Sequence, residues 1–419
     1  MADTDFQFHY HHVGGRGGNL PFEEGPMRVP KQFYPDIQLH LYDADPDCEK
    51  QLAGKGFACP TQVHTKALWS EKGNKTLYVY YDPHASSFLR ANPAMAKHYR
   101  WQPQCGDFEL GTMLRPVKNI PMAVESLDAH VAESKVRVDF LSLDTQGAEL
   151  DILKGALQTC SDSVVGVMAE ISLDPLYEGQ GLFTTLTDHL RTLHFSLVTV
   201  NWNELGSYRA PLGFRSKSCP IDGDAYYIKD AVAVSYHPEP YRDLMKLAFL
   251  SLTFGLLERC MEALVLAKDL QSDFSGPVPS YVTMLQELLR AFEATPKVFP
   301  VTLQDFYGRP NEQVHLTVEV IRARYFSAMP VELRQPHLVN LITLAATAQT
   351  PVEGFLAASG FEALAAEVTE RRIKEAMHTL QYIGVPIAKQ DGRTIYNAAV
   401  EPEIRAIPYT GASTSSQGA

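Results

Sequence analysis

The sequence predicts an α/β fold, a doubly wound, mainly parallel sheet of the Rossmann-like kind, followed by an α-helical C-terminal domain. Three observations predict it. Short β-type runs alternate with helix-period segments up to about residue 230. One of those runs, Val136–Asp144 (VRVDFLSLD), has an apolar stretch that suggests burial on both faces, as for strands inside parallel sheets. Beyond residue 230 the pattern changes to long helix-period stretches separated by Pro/Gly joints. The expected organisation is a domain over 1–230, a helical domain over 231–408 and a polar tail over 409–419.

The predicted strands follow in order. Phe6–Gly14 ends in a glycine cluster, and Gln38–Asp43 ends in an acid. Thr76–Tyr81 follows the turn-like Lys72-Gly73-Asn74. Val136–Asp144, Val164–Ile171, Phe195–Val200 and Ala225–Ile228 complete the set. Between the later strands, Ala148–Thr159 carries Leu150, Leu153 and Leu157 on one stripe, and Leu182–His194 carries Phe183, Leu186, Leu190 and Leu193. Parallel sheets of this kind bind ligands at the carboxyl ends of their strands. In the second domain, Leu244–Leu270, Tyr281–Ala294, Glu312–Ser327, His337–Gln349 and Glu362–Tyr382 read as helices. Their apolar faces, with Met245, Leu252 and Leu256, predict core packing or a homodimer interface. Thr410–Ala419 has the composition of a disordered tail.

Composition narrows the class. The chain has 419 residues, and 37 Lys and Arg against 49 Asp and Glu give a net charge of −12. That balance disfavours nucleic acid as a partner, because nucleic-acid binding needs cationic density to displace counterions. The cysteines have no CxxC spacing and no zinc-like pattern with histidine. The N-terminal residues carry no basic and apolar leader pattern. The most apolar run, Leu247–Leu257, is shorter than the roughly 20 residues a membrane span needs. The expectation is a cytoplasmic protein with no membrane span and free thiols.

Four segments carry candidate chemistry. The first is His12-Val-Gly14-Gly15-Arg16-Gly17-Gly18-Asn19, at the end of a predicted strand. Glycines there let the backbone approach a ligand closely, or simply make a turn. Pro21, Pro26, Pro30 and Pro35 prevent a regular helix from starting directly after the loop. The second is Tyr42-Asp43-Ala44-Asp45-Pro46. Asp43 is placed to accept hydrogen bonds from ribose hydroxyls, or serves as a turn acid. Asp45-Pro46 reads as a helix cap followed by proline at the first helical position. The third is Asp139-Phe-Leu-Ser-Leu-Asp144-Thr-Gln-Gly147-Ala-Glu149. Here a buried strand delivers Asp144 to its carboxyl end, Gly147 allows a tight turn, and Glu149 falls in the first turn of a helix, where acids suit the macrodipole. The fourth is Glu170, at the end of the neighbouring strand. His9, His11 and His12 alternate near the N-terminus and read as strand residues. No metal is expected.

The segment VDFLSLDTQGAELDILKGA strongly resembles the signature of FkbM-type methyltransferases, a strand followed by Asp-x-x-Gly-x-Glu and a Leu-Lys-Gly-Ala helix. Val124–Asp128, Ala169–Gln180, Tyr42–Pro46 and Ala67–Gly73 are similar to further family segments, so the likeness spans about residues 6–230. It implies a class I methyltransferase fold, S-adenosyl-L-methionine as donor and O-methylation. By position it implies that Gly14, Gly15 and Gly17 line the methionine and ribose, that Asp43 holds the ribose, that Leu68 flanks adenine and that Asp144 sits near the methionine end. Methyl transfer is an in-line displacement that depends on positioning, and an alcohol acceptor benefits from a base. The candidates for that work are Asp144, Glu170 and His84, with His98 and Tyr177 near the acceptor.

The family's glycine motif is Asp-x-Gly-Ala-Asn-x-Gly, and here His12, Gly15 and Arg16 replace its Asp, Ala and Asn. Two readings follow. The first is an enzyme that methylates a hydroxyl of a sugar, glycan or glycosylated metabolite. The second is a catalytically degenerate, methyltransferase-like binding or assembly module. A nicotinamide-dependent dehydrogenase shares the sheet and the acid at 43 but lacks a GxGxxG opening a helix.

Overall fold

The computed structural model describes residues 6–14, 22, 25–45, 48–52, 56–101, 108–207, 218–270, 278–293, 329–334, 387–390 and 394–397. Two compact units divide the chain, Met1–Leu285 and Gln286–Ala419.

The first unit is built on one sheet. Its strands are β1 (Phe8–Val13), β2 (Ile37–Asp43), β3 (Thr61–Thr65), β5 (Tyr99–Trp101), β6 (Phe108–Glu109), β8 (Phe140–Leu143), β9 (Gly166–Ser172), β10 (Phe195–Ser207) and β11 (Cys219–Lys229). Their spatial order is β3-β2-β1-β8-β9-β11-β10-β5-β6. The five strands from β3 to β9 run parallel, and β11 enters antiparallel beside β9. The order reverses between β1 and β8. Val13 pairs with Tyr42 on one side and with Leu143 on the other. The carboxyl ends of β1 and β8 therefore flank the switch-point crevice where such sheets bind ligands.

Helices cover the sheet. They include α1 (Cys48–Leu52), α2 (Leu127–Ser134), α3 (Glu149–Lys154), α4 (Leu157–Asp162) and α5 (Phe183–Thr192). The caps are local. Ser126 Oγ accepts from Ala129 N at 3.2 Å to start α2, and Asp128 accepts from Gln158 N and Thr159 N at 3.0 and 2.8 Å to start α4. On α5, Leu186 and Leu190 are buried as the stripe predicts.

Several sequence expectations change in detail. The strand at Thr76–Tyr81 runs as β4 (Gly73–Tyr80) but lies outside the central sheet, paired antiparallel with β7 (Pro116–Val124). The two prolines of β7 hide it from sequence reading, and they are tolerated because a two-stranded ribbon has only edges. The single helix expected over 148–159 is two, α3 and α4. The stretch 244–270 also divides, into α6 (Pro240–Thr253) and α7 (Leu257–Asp269), with Gly255 left-handed at φ +74° between them. These two helices belong to the first compact unit, which runs on past residue 230 into α8 (Ser280–Glu293). The helices expected at 312–327, 337–349 and 362–382, and the tail, lie outside the described residues. Two described strands that sequence reading did not anticipate, β12 (Ile387–Gln390) and β13 (Thr394–Asn397), pair antiparallel in the second unit. Among the described residues, no helix is long and apolar enough to cross a membrane.

Buried charge joins α6 to the amino ends of the strands. Lys246 Nζ lies 2.8 Å from Asp139 Oδ2, and both side chains are fully buried. Arg137 reaches Asp139 at 2.9 Å and also contacts Asp243 on α6. Asp243 accepts from His237 Nδ1 at 2.8 Å, and Lys229 donates to His237 Nε2 at 3.0 Å. Gly166 on β9 sits under α6 so closely that a Cβ there would lie 2.4 Å from Leu250 Cδ2. Burial alone would push the Asp139 carboxyl up, but Lys246 and Arg137 hold it well below the usual carboxylate range. Its contribution is therefore complete above the pKa of the unfolded chain and is lost as pH falls below it. Asp139→Ala removes the carboxylate that pairs with the buried Lys246, while Arg137 keeps Asp243. We expect it to cost about 3–5 kcal/mol in urea unfolding, the range for breaking a buried pair.

Candidate functional site

The switch-point crevice is shaped first by Gly14. Its φ is +95°, and its N–H donates to Tyr42 O at 3.0 Å. A Cβ at this position would lie 1.7 Å from the carbonyl oxygen of Asp144. Only glycine allows β1 to end this close to β8. Asp144 N donates in turn to Val13 O at 3.0 Å. The two strand ends form one backbone unit, with Asp144 at its rim.

Gln146 organises the acids next to it. This residue is left-handed at φ +55°, an unusual conformation for a residue with a side chain, and Gly147 follows at φ +98°. The two amide hydrogens of Gln146 Nε2 go to Asp144 Oδ1 at 2.9 Å and to Glu170 Oε2 at 2.8 Å. Its Oε1 lies 3.2 Å from the Tyr177 hydroxyl, which donates to Ala85 O at 2.8 Å. Its backbone carbonyl accepts from Ser87 Oγ at 2.7 Å. Glu149, buried at the start of α3, accepts at Oε1 from Thr145 N, Thr145 Oγ1 and Gly147 N at 2.7, 2.9 and 3.2 Å. These bonds pin the turn that carries Gln146.

More carboxylates face the same place from β11. Asp224 is the cross-strand partner of Glu170, and Asp222 pairs with Ser172. Like charges directly opposite on neighbouring strands repel. Burial first, then Asp144, Glu149, Asp222 and Asp224, push Glu170 well above its ordinary range. Burial and Asp144 push Asp224 up to about 6. Glu149 is pushed up to about 7 by burial and Asp144, against the pull of its donors. The crevice is a half-buried acidic chamber that holds protons at neutral pH and is complementary to a cation.

The sequence candidates distribute unevenly. Asp144 and Glu170 come together through Gln146, with Glu149 and Tyr177 around them. Asp43 ends β2, and its Oδ1 accepts from Asp45 N at 2.8 Å, so it makes the local turn and also stands at a strand's carboxyl end. Leu68 is 2% exposed and packs in the core with Val124 and Leu127. His84 is exposed on a short turn, Pro83–Ala85, next to the Ala85 carbonyl that Tyr177 holds. Gly15 and Gly17 lie outside the described residues. His12 is buried, its Nδ1 2.8 Å from Ser142 Oγ.

Sequence reading missed Gln146, Asp222 and Asp224. The signals were present: Gln-Gly after a strand end marks a left-handed turn, and Asp222 and Asp224 alternate on a strand. It also missed that His9 and His11 meet His40 across β1 and β2.

A sheet of this order, with carboxylates gathered at its switch point, defines an α/β protein of the class that binds ligands at the carboxyl ends of its strands. The family model described as the methyltransferase FkbM domain matches residues 2–197. The match supports the resemblance of this part of the chain to FkbM-type methyltransferases. No curated protein and no solved structure matches the chain.

Glu149 is protonated in the folded chain up to about pH 7, whereas in the unfolded chain it loses its proton at ordinary carboxylate pH. Between those limits the folded state binds the extra proton, so this group's contribution to stability falls as pH rises. We expect the stability difference between the wild type and Glu149→Gln to move in favour of the variant from about pH 5 to 8. Urea denaturation across that range checks it, and a pH-independent difference contradicts the assignment.

Proposed function

We propose that the chain is an S-adenosyl-L-methionine-dependent O-methyltransferase acting on a hydroxyl of a sugar, a glycan or a glycosylated metabolite. The observation that carries this reading is the acidic chamber at the β1/β8 switch point of a domain similar to FkbM-type methyltransferases. The donor set fits the cofactor. Its amino group and its sulfonium are cations, and they would sit among the acids Asp144, Asp222 and Asp224. Glu149 and Glu170 gain most from a positive charge beside them, because burial and neighbouring acids oppose their ionisation. Asp43 supplies a carboxylate at the end of β2, where a ribose is held in sheets of this class. When bound, the cofactor supplies an activated methyl group on a positively charged sulfur. The chain's own residues do the rest. Gly14 keeps the β1 turn close to Asp144. Gln146 holds the Asp144 and Glu170 side chains in fixed positions, which is what a displacement reaction requires of its surroundings. Glu170 is the base that takes the proton of the acceptor hydroxyl. Its raised proton affinity makes it a stronger base but keeps it protonated to higher pH than an ordinary carboxylate, so turnover rises with pH.

A second reading, a methyltransferase-like binding or assembly module, is favoured by His12. Its ring is buried with Nδ1 bonded to Ser142, and burial lowers its proton affinity, so this position lacks the carboxylate that the resembled glycine motif carries there. The location in the cytoplasm and a homodimer formed through the helical segment belong to the proposal as expectations.

Isothermal calorimetry with S-adenosylmethionine and S-adenosylhomocysteine tests the first reading. Saturable one-to-one binding of either, weakened about tenfold or more by Asp43→Ala, is expected, since a carboxylate hydrogen bond contributes about 1.5–3 kcal/mol. Absence of binding up to about millimolar, equivalent to only about −4 kcal/mol, favours the module. If turnover is found, Glu170→Gln is expected to lower kcat by about 10²–10⁴-fold and to remove its rise with pH.

A further inference from the structure

The face of β1 opposite His12 carries His9 and His11, which project to the same side because side chains alternate along a strand. His40 on β2 is the direct register partner of His11. A central parallel strand normally offers apolar side chains to its cover, as Leu141 and Val167 do in this sheet. Three histidines in that position carry a desolvation cost that the fold does not require.

We propose that His9, His11 and His40 form a site for a divalent transition-metal ion of the class that favours imidazole, with zinc the representative ion. One ring nitrogen from each residue lies within 4.8 Å of the other two. His9 Nδ1 and His40 Nε2 are 3.2 Å apart. Two imidazole nitrogens on a tetrahedral zinc, at about 2.0–2.1 Å each, are separated by about 3.3 Å, so this pair is already at ligand spacing. The outer contacts are those of ligating histidines, which donate their second nitrogen to a fixed acceptor. His40 Nδ1 meets His64 Nε2 at 3.0 Å, and His11 Nε2 donates to the Arg137 carbonyl at 2.7 Å. His11 is the ligand that must move. It stacks on His40 with centroids 4.2 Å apart and planes 15° apart, and its Nδ1 lies 3.0 Å from the Tyr42 hydroxyl. To bind, the ring turns and exchanges Tyr42 for the ion. All three ligands stand on neighbouring strands, which hold them more rigidly than loops do. His9 is half-buried and gives the ion a way in, and the fourth position is left to water. The inference does not rest on the methyl-donor site, whose acids lie at the strand ends.

The experiment uses the full chain, stripped with a chelator and titrated with Zn2+ by calorimetry and with Co2+ by visible absorption. One equivalent of Zn2+ and the ligand-field bands of tetrahedral cobalt are expected. Both should weaken by at least about tenfold in His9→Gln and in His40→Gln. They should persist in His194→Gln, a change at an exposed histidine on a turn. Should His40→Gln fail to fold by circular dichroism, the half-buried His9→Gln decides. Absence of saturable binding by the wild type, or equal binding by His9→Gln and the wild type, overturns the assignment.

Discussion

At the end of β1 the chain can turn only because residue 14 has no side chain, and the site depends on that. Any Cβ there would occupy the position of the Asp144 carbonyl, and the two strand ends could not share their backbone hydrogen bonds. The approach aligns the end of β8, so Asp144, the left-handed Gln146 and the start of α3 emerge at the crevice. Strain at Gln146 is held by what surrounds it: the Glu149 acceptor beneath, Ser87 and Tyr177 above, and two carboxylates at its amide. A residue in an unusual conformation persists when its neighbours over-determine it, and functional sites are where such residues cluster.

The electrostatics of the two ends of the sheet differ in balance and in purpose. At the amino ends, the buried Asp139, Asp243 and Lys246 and the partly buried Arg137 form compensated pairs, and they bind α6 to the strands. At the carboxyl ends, Asp144, Glu149, Glu170, Asp222 and Asp224 face one another with only an uncharged glutamine between the closest of them. That arrangement resists full ionisation. The result is a chamber that retains protons near neutrality and gains most from a positively charged ligand. Stability is built where charges are paired, and chemistry is offered where they are not.

Much of this was legible in the sequence, for identifiable reasons. Buried central strands such as 140–143 and 166–172 announce themselves by continuous apolar runs, and Asp144, Glu170 and Gly14 follow from being at their ends. The β7 strand was not legible, because its prolines argue against a strand until one sees that it has a single partner. Leu68 shows the opposite difficulty: position suggests a ligand contact, whereas the side chain packs in the core. The meeting of His9, His11 and His40 depends on the register between β1 and β2, which no local pattern encodes. Asp222 and Asp224 become part of the site only because β11 inserts antiparallel beside β9, a consequence of topology.

The central claim is that the crevice between β1 and β8 receives a cationic methyl donor. A crystal structure of the chain with S-adenosylhomocysteine at saturating concentration tests it most directly. The account predicts density for the product at the carboxyl ends of β1, β2 and β8, with the ribose against Asp43 and the amino-acid end beside Asp144. Density at another place on the sheet, or an empty crevice at concentrations that saturate binding in solution, contradicts it.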